Sequence, residues 1–335
     1  MKKFLVVCAA SLLLCLPGIA QEYVQAPEAD DSGRGVGLSI IPRFDLNYNG
    51  EFTLGDSSLY SLIEGDLSDV FSLSICNHWL AADAESIGAL YKNTFRSDDV
   101  NWLDWAYLTA NLGNFSVTVG KQPMTFGGFE FDAYDFESFS FLNSSIWNTL
   151  QVYQWGAKLG WANVDESSAI SAQVTTSPFG EHPFSSKLFN YALEWRGEFD
   201  EIHTIWAFNA IQMDEKNFIP IVTLGTQYDL SDSFTAGLDV FSCVGDETNM
   251  VMNGLTLMPS LAFHPSESFE IRARVGGELN SKTGNKDLMA GLDGYWFPIP
   301  DNESLRLHFA AGYRHDEQLL AGTIGIMYYL NIPRR

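Results

Sequence analysis

From about residue 34 onward the chain alternates apolar and polar positions in segments of roughly ten residues, separated by turn-forming residues. The clearest pair meets near residue 266. Before the turn, Leu255, Leu257, Pro259, Leu261 and Phe263 alternate with Thr256, Met258, Ser260, Ala262 and His264; after it, Phe269, Ile271, Ala273, Val275 and Leu279 alternate with Glu270, Arg272, Arg274 and Glu278. One face is apolar and the other carries charge, because successive side chains of a strand point to opposite sides. The link His264-Pro265-Ser266-Glu267-Ser268 is made of turn residues. The same unit repeats along the chain and predicts sixteen strands: 34–48, 57–65, 69–80, 102–112, 115–121, 153–162, 167–176, 187–197, 201–212, 218–229, 232–243, 253–264, 268–279, 286–297, 304–314 and 319–331. Splitting or merging a hairpin changes the count by two, so fourteen and eighteen are the alternatives.

Link lengths add a second regularity. Every second link is short, as at Gly113-Asn114, Gly197 to Asp200 and Asp229 to Asp232, while the other set includes the long segments 81–101, 122–152, 177–186 and 244–252. About ten tilted residues suffice to cross a bilayer as a strand, and short turns on one side with longer loops on the other is the layout of a membrane barrel.

The first twenty residues bear on compartment. Lys2 and Lys3, an apolar run from Phe4 to Leu16 and the small residues around Gly18-Ile19-Ala20 read as an export leader, 1–20, ahead of a short segment 21–33 and a single domain 34–335. No later run approaches the ~20 apolar residues of a membrane helix. Lipid offers no partners to free backbone N–H and C=O groups, so strands can cross it only as a closed cylinder. The expectation is an all-β fold, a transmembrane antiparallel β-barrel of about sixteen strands in the outer membrane of a Gram-negative cell. Trp161, Trp195, Tyr228, Phe234, Phe263, Phe269 and Trp296 lie near the short links on the apolar parity, where a barrel carries rings at the membrane interface. A soluble β-sandwich is the competing fold, with less regular strands.

Charge narrows the partners. Asp and Glu number 42 against 19 Lys and Arg, a net of −23 that loss of Lys2 and Lys3 with the leader makes more negative. Such a surface excludes nucleic acid, whose phosphates need basic partners. Beyond the leader only Cys76 and Cys243 occur, too few for a disulfide-stapled fold; both have the polar parity, on strands that a barrel sets on opposite sides. The six histidines show no metal-ligand spacing. Gly33-Arg34-Gly35-Val36-Gly37 lacks a full phosphate-loop pattern and no helix follows. No metal, cofactor or catalytic constellation is expected.

A cylinder of sixteen strands is too wide for its own side chains to fill, so it encloses water unless a loop narrows it. The third long link, 122–152, is the candidate. It holds Phe126, Phe129, Phe131, Tyr134, Phe136, Phe139, Phe141 and Trp147 beside Glu130, Asp132, Asp135 and Glu137, with no lysine or arginine. Its rings would pack on the inner wall and its acids would narrow the path and favour cations. The alternative places it over the mouth or against a second copy. Arg43, Lys158, Arg196, Arg272, Arg274, Arg306 and Arg314 have lumen parity, either facing those acids across the opening or salt-bridged within the wall. The function expected is an aqueous channel for passive diffusion of small solutes or ions; a blocked barrel acting as an adhesin, or a barrel hydrolase using a rim histidine such as His203 or His308, are the alternatives.

The string VTVGKQPMTFGGFEFDAYD, Val117 to Asp135, resembles porins of the phosphate-selective porin O and P family, through Gly120, Lys121, Gln122, Pro123, Gly127, Gly128 and Glu130. Tyr153-Gln154-Trp155-Gly156 and the hairpin from Leu62 to Phe71 are similar to it more loosely. The resemblance covers the layout of nearly the whole mature chain but is specific in only about thirty residues. It implies a sixteen-stranded, trimeric outer-membrane porin in contact with outer-membrane lipid. Two departures stand out: the matching loop is acidic where anion-selective members carry arginines and lysines, and the chain ends Leu330-Asn331-Ile332-Pro333-Arg334-Arg335 where many outer-membrane barrels end on an aromatic residue.

Overall fold

The computed structural model describes residues 35–54, 57–81, 103–132, 143–144, 146–147, 150–180, 185–243, 254–280, 286–299, 303–315 and 318–332. The expected leader 1–20 and segment 21–33 lie outside the described residues, as do Asp135 and Glu137.

Sixteen antiparallel strands form the molecule: β1 Gly35–Tyr48, β2 Ser58–Asp66, β3 Phe71–Ala81, β4 Leu103–Leu112, β5 Phe115–Pro123, β6 Tyr153–Ala162, β7 Ser168–Thr176, β8 Phe189–Phe199, β9 Ile202–Gln212, β10 Phe218–Ser231, β11 Phe234–Cys243, β12 Gly254–Ser266, β13 Phe269–Asn280, β14 Lys286–Trp296, β15 Leu305–Arg314 and β16 Leu319–Tyr328. Leu330–Ile332 continues β16 past Tyr329, and Phe52–Thr53 adds a short bridge to β1. Each strand pairs with the next, and β1 returns to β16 through Arg43↔Met327 to Tyr48↔Gly322, then to the continuation through Leu38↔Ile332. The sheet is thus closed on itself and no open edge is left.

The alternation read from the sequence decides which way each side chain points. On β1, Phe44, Leu46 and Tyr48 are exposed on the outside while Ile41, Arg43 and Asp45 are buried on the inside. On β16, Leu320, Ile324, Ile326 and Tyr328 face out while Ala321, Thr323 and Met327 face in. Exposed rings gather near both rims. Trp161, Phe199, Phe234 and Trp296 lie by the short turns, and Tyr48, Phe52, Phe189, Tyr191, Phe218 and Tyr313 lie by the other rim. Phe234 and Phe263 stack with centroids 4.3 Å apart, and Trp195 and Trp206 meet edge to face at 5.0 Å.

Several strand ends, among them those of β5, β8, β10 and β12, depart from expectation by two residues. β12 runs on through Pro265 to Ser266 instead of stopping at His264, because a register irregularity between Phe263 and Ser266 lets Ser266 pair with Phe269. A proline is tolerated at such a bulge because no ladder N–H is required of it.

The inner wall carries clusters of matched charges. Arg43 donates from Nε and Nη2 to Oδ2 of Asp45, at 2.9 and 2.6 Å, and His308 Nε2 lies 2.9 Å from Oδ1 of the same carboxylate. That cluster ties β1 to β15 across β16, at the seam where the cylinder closes. Arg272 bonds Asp293 at 2.8 Å and stacks over the Tyr295 ring, with Arg306 over the same ring at 4.9 Å. His203 sits between Glu198 and Asp229, and Asp229 accepts from Thr235 Oγ1 at 2.6 Å. Among the described residues, Cys76 and Cys243 are buried and not joined in a disulfide.

Candidate functional site

Part of the inner wall is apolar and cannot face water at low cost. Ile211, Ile219, Ile221, Phe241, Cys243, Met258 and Met289, from β9 to β14, form one buried patch, and it is covered by Met124, Phe126, Ile146 and Leu150 from the link between β5 and β6. This link is the third long one, and its described part lies inside the cylinder. Its base is closed by Met124 N donating to Val152 O at 2.7 Å.

The chain enters the lumen from Pro123. Thr125 N donates to Gln173 Oε1 at 2.7 Å, and Gln173 Nε2 returns a bond to Pro123 O at 2.9 Å. Gly127 and Gly128 then take φ of +78° and +80°, a region that side-chain-bearing residues rarely adopt. This is the reason for the paired glycines. A Cβ on Gly127 would also lie 2.6 Å from Ala207 Cβ. Gly128 N donates to Ile205 O at 3.0 Å, and one turn of 3₁₀-helix, Phe129–Phe131, follows. Its first N–H groups have no partners inside the turn and point to β11, where Asp239 accepts from Phe129 N and Glu130 N at 2.9 and 2.8 Å. The carboxylate therefore caps the turn from another element. Phe131 packs on Phe126, Trp147 and Phe241 with centroids 4.3, 4.9 and 5.6 Å away.

The loop acids meet the wall arginines directly. Asp132 lies 2.6 Å from Arg196 of β8, which also holds Glu194 at 2.9 Å. Glu130 is buried, accepts from Ser144 N and Oγ, and lies 3.6 Å from Arg274 of β13. Arg274 donates to Asn143 Oδ1 at 3.0 Å and Arg314 of β15 to Asn143 O at 3.1 Å. Arg314 also bonds Asp287 at 3.0 Å. Lys158, half-buried on β6, has Glu194, Arg196 and Asp132 as charged neighbours. Arg43, Arg272 and Arg306 belong to the matched clusters elsewhere on the wall. Phe129 is half-buried beside Glu130. Of the acids expected to work together, Glu130 and Asp132 share this seat.

Sequence reading missed Asp239, Gln173, Asn143 and Ser144. A wall aspartate or glutamine on the inward parity looks like any other, and the contacts of Gln173, Asp239 and Asn143, spanning 48 to 171 residues, leave no local signal. Only the Gly127-Gly128 pair, demanding positive φ, marked the place.

Burial pushes the Glu130 carboxyl up to about 7, against the opposing pull of Arg274 and the Ser144 bonds. A carboxyl whose value is higher folded than unfolded weakens the folded arrangement where it is ionised in both states, above pH 7. The penalty is relieved as pH falls from about 7 toward 4.5. The protection factors of residues 126–132, hydrogen-exchange rates corrected for the base-catalysed rise of intrinsic exchange with pH, are expected to be higher at pH 5 than at pH 8, and the difference should vanish in Glu130→Gln. Equal pH dependence in both proteins would refute this.

Among the described residues no group of His, Cys, Asp and Glu could hold a metal ion. No protein-family model matches the chain, and no curated protein is similar to it in sequence. Solved structures do match. A mutant of the porin of Rhodopseudomonas blastica superposes with a TM-score of 0.64 at 14% identity, over 88% of this chain and 100% of that one. OmpT of Vibrio cholerae, an outer membrane protein, matches in its trimer form with a TM-score of 0.58 at 11% identity, over 88% and 99%, and its loop L8 deletion mutant with 0.58 at 12%. The chain therefore has the fold of the sixteen-stranded porins, a likeness of architecture at 14% sequence identity.

Proposed function

We propose that the protein is an outer-membrane porin, an aqueous channel through which small solutes and ions diffuse, with a preference for cations. The observation that carries this reading is the closed cylinder with an apolar outside, a charged inside, and a loop pinned within it. Lipid suits the outer face, and water suits the inner. The acid surplus supports the cation preference. Asp66, Asp69, Asp165, Glu166, Asp200, Asp232 and Glu267 are exposed at the short-turn rim, where no lysine or arginine is exposed among the described residues. A mouth with one sign of charge concentrates the opposite ion. The same surplus argues against the phosphate preference of the porin O and P family. Trimeric assembly is part of the proposal, supported by the trimer form of the Vibrio protein.

The test is current across a planar bilayer. Stepwise conductance and a reversal potential of the cation-selective sign are expected in a salt gradient. Replacing Glu130, Asp132, Asp135 and Glu137 with their amides leaves Arg196 and Arg274 short of partners and should move the potential toward the anion side. A wild-type protein with no current would overturn the channel; a potential unmoved by the four substitutions would overturn the role given to the loop.

A further inference from the structure

Asp239 is the residue that the geometry points to, beyond the loop acids, as setting the bore of the channel: we infer that it is the positioning residue that latches the third loop inside the lumen. This rests on the channel reading above. Ile205, Gly225 and Asp239 stand in one register row across β9, β10 and β11. Together they make a notch of a backbone carbonyl, a residue without a side chain, and a carboxylate. The loop enters it at the Gly127-Gly128 bend. Gly128 N reaches the Ile205 carbonyl, and both Asp239 oxygens are taken by the next two N–H groups. The middle of the notch must be glycine, since a Cβ on Gly225 would stand 2.6 Å from Gly128 Cα and 2.7 Å from Asp239 Oδ1.

Apart from the backbone bonds at the loop's entry, Thr125 N to Gln173 and Met124 N to Val152, the other attachments differ in kind. Asp132 and Glu130 reach Arg196 and Arg274 through flexible side chains that can follow a shifted loop, and Arg196 keeps Glu194 when Asp132 leaves. Backbone N–H groups cannot follow in that way. Their position fixes the path of the chain, so the depth to which the loop projects depends on where Asp239 holds them.

Two variants reach the latch by unrelated routes. Asp239→Asn keeps the shape but turns an amide N–H toward one of the two loop donors. Gly225→Ala keeps the carboxylate and fills the notch. Asp293→Asn removes a wall charge that binds Arg272 and does not touch the loop. Single-channel conductance and the size limit for neutral sugars are measured in bilayers and liposomes. Hydrogen exchange of residues 126–132 is followed in parallel, and heat-modifiable gel mobility shows that the barrel is formed. Both latch variants should raise conductance about 1.5-fold or more, admit larger sugars and speed exchange, with Asp293→Asn unchanged in size limit and exchange. If Asp239→Asn changes conductance while Gly225→Ala does not, the effect is one of charge and the latch is refuted. Wild-type size limit and exchange in both variants refute it as well. Should the wild-type protein carry no current, the channel reading falls, and unaltered exchange in the variants would then separately dispose of the latch.

Discussion

Replacing Asp45 with alanine is expected to destabilise the barrel by about 3–5 kcal/mol, the effect of removing one partner from a buried ion pair. Asp45 is fully buried and accepts from Arg43 twice and from His308 once, so the substitution leaves two basic side chains facing each other without the carboxylate between them. The place makes the effect global. β1 and β15 are joined there across β16, where the first strand meets the last, and no later strand repairs a weakened seam. Equilibrium unfolding in urea from lipid vesicles, followed by tryptophan fluorescence, gives the number. Asp45→Asn, which keeps the size and part of the hydrogen bonding, should fall between the two. A difference of less than about 0.5 kcal/mol for alanine, the range of an ordinary surface substitution, would show that the cluster does not hold the seam.

Arginine in place of Ile324 should destabilise by about 2–4 kcal/mol, as for a cation on the lipid face near the bilayer midplane. Ile324 lies in the middle of β16, is 70% exposed, and pairs with the exposed Leu46. In a soluble protein so exposed a position tolerates arginine within about 0.5 kcal/mol. The same unfolding measurement in vesicles therefore reads what the outer face touches. A neutral result would place water there, and the membrane assignment would go with it.

The barrel could be read from the sequence because its rule is local. A period of two sorts the side chains of each segment, so the reading of 304–314 and the observed Leu305–Arg314 nearly coincide, as do 201–212 and Ile202–Gln212. Where backbone irregularity interrupts the period, the reading slips. The ends of β10 at Ser231 and of β12 at Ser266 follow register irregularities that no alternation announces. The lumenal seat was legible only in outline. Its rings and acids stood out in composition, yet the residues that hold them belong to strands far away in the chain. Asp132 and Arg196 are 64 residues apart, and Arg274 and Asn143 are 131 apart. Pairing across such distances is fixed by how many strands lie between, and a single sequence gives no measure of it.

The order of synthesis gives the loop's attachments a further meaning. Ile205, Asp239, Arg274 and Arg314 all follow residues 124–132 in the chain, so the polypeptide that narrows the lumen is made well before the surfaces that receive it. Contacts of such long span form late in folding, after the intervening chain has been ordered. The part of the seat that Arg314 supplies therefore exists only once β15 is in place, whereas the notch around Asp239 is complete with β11.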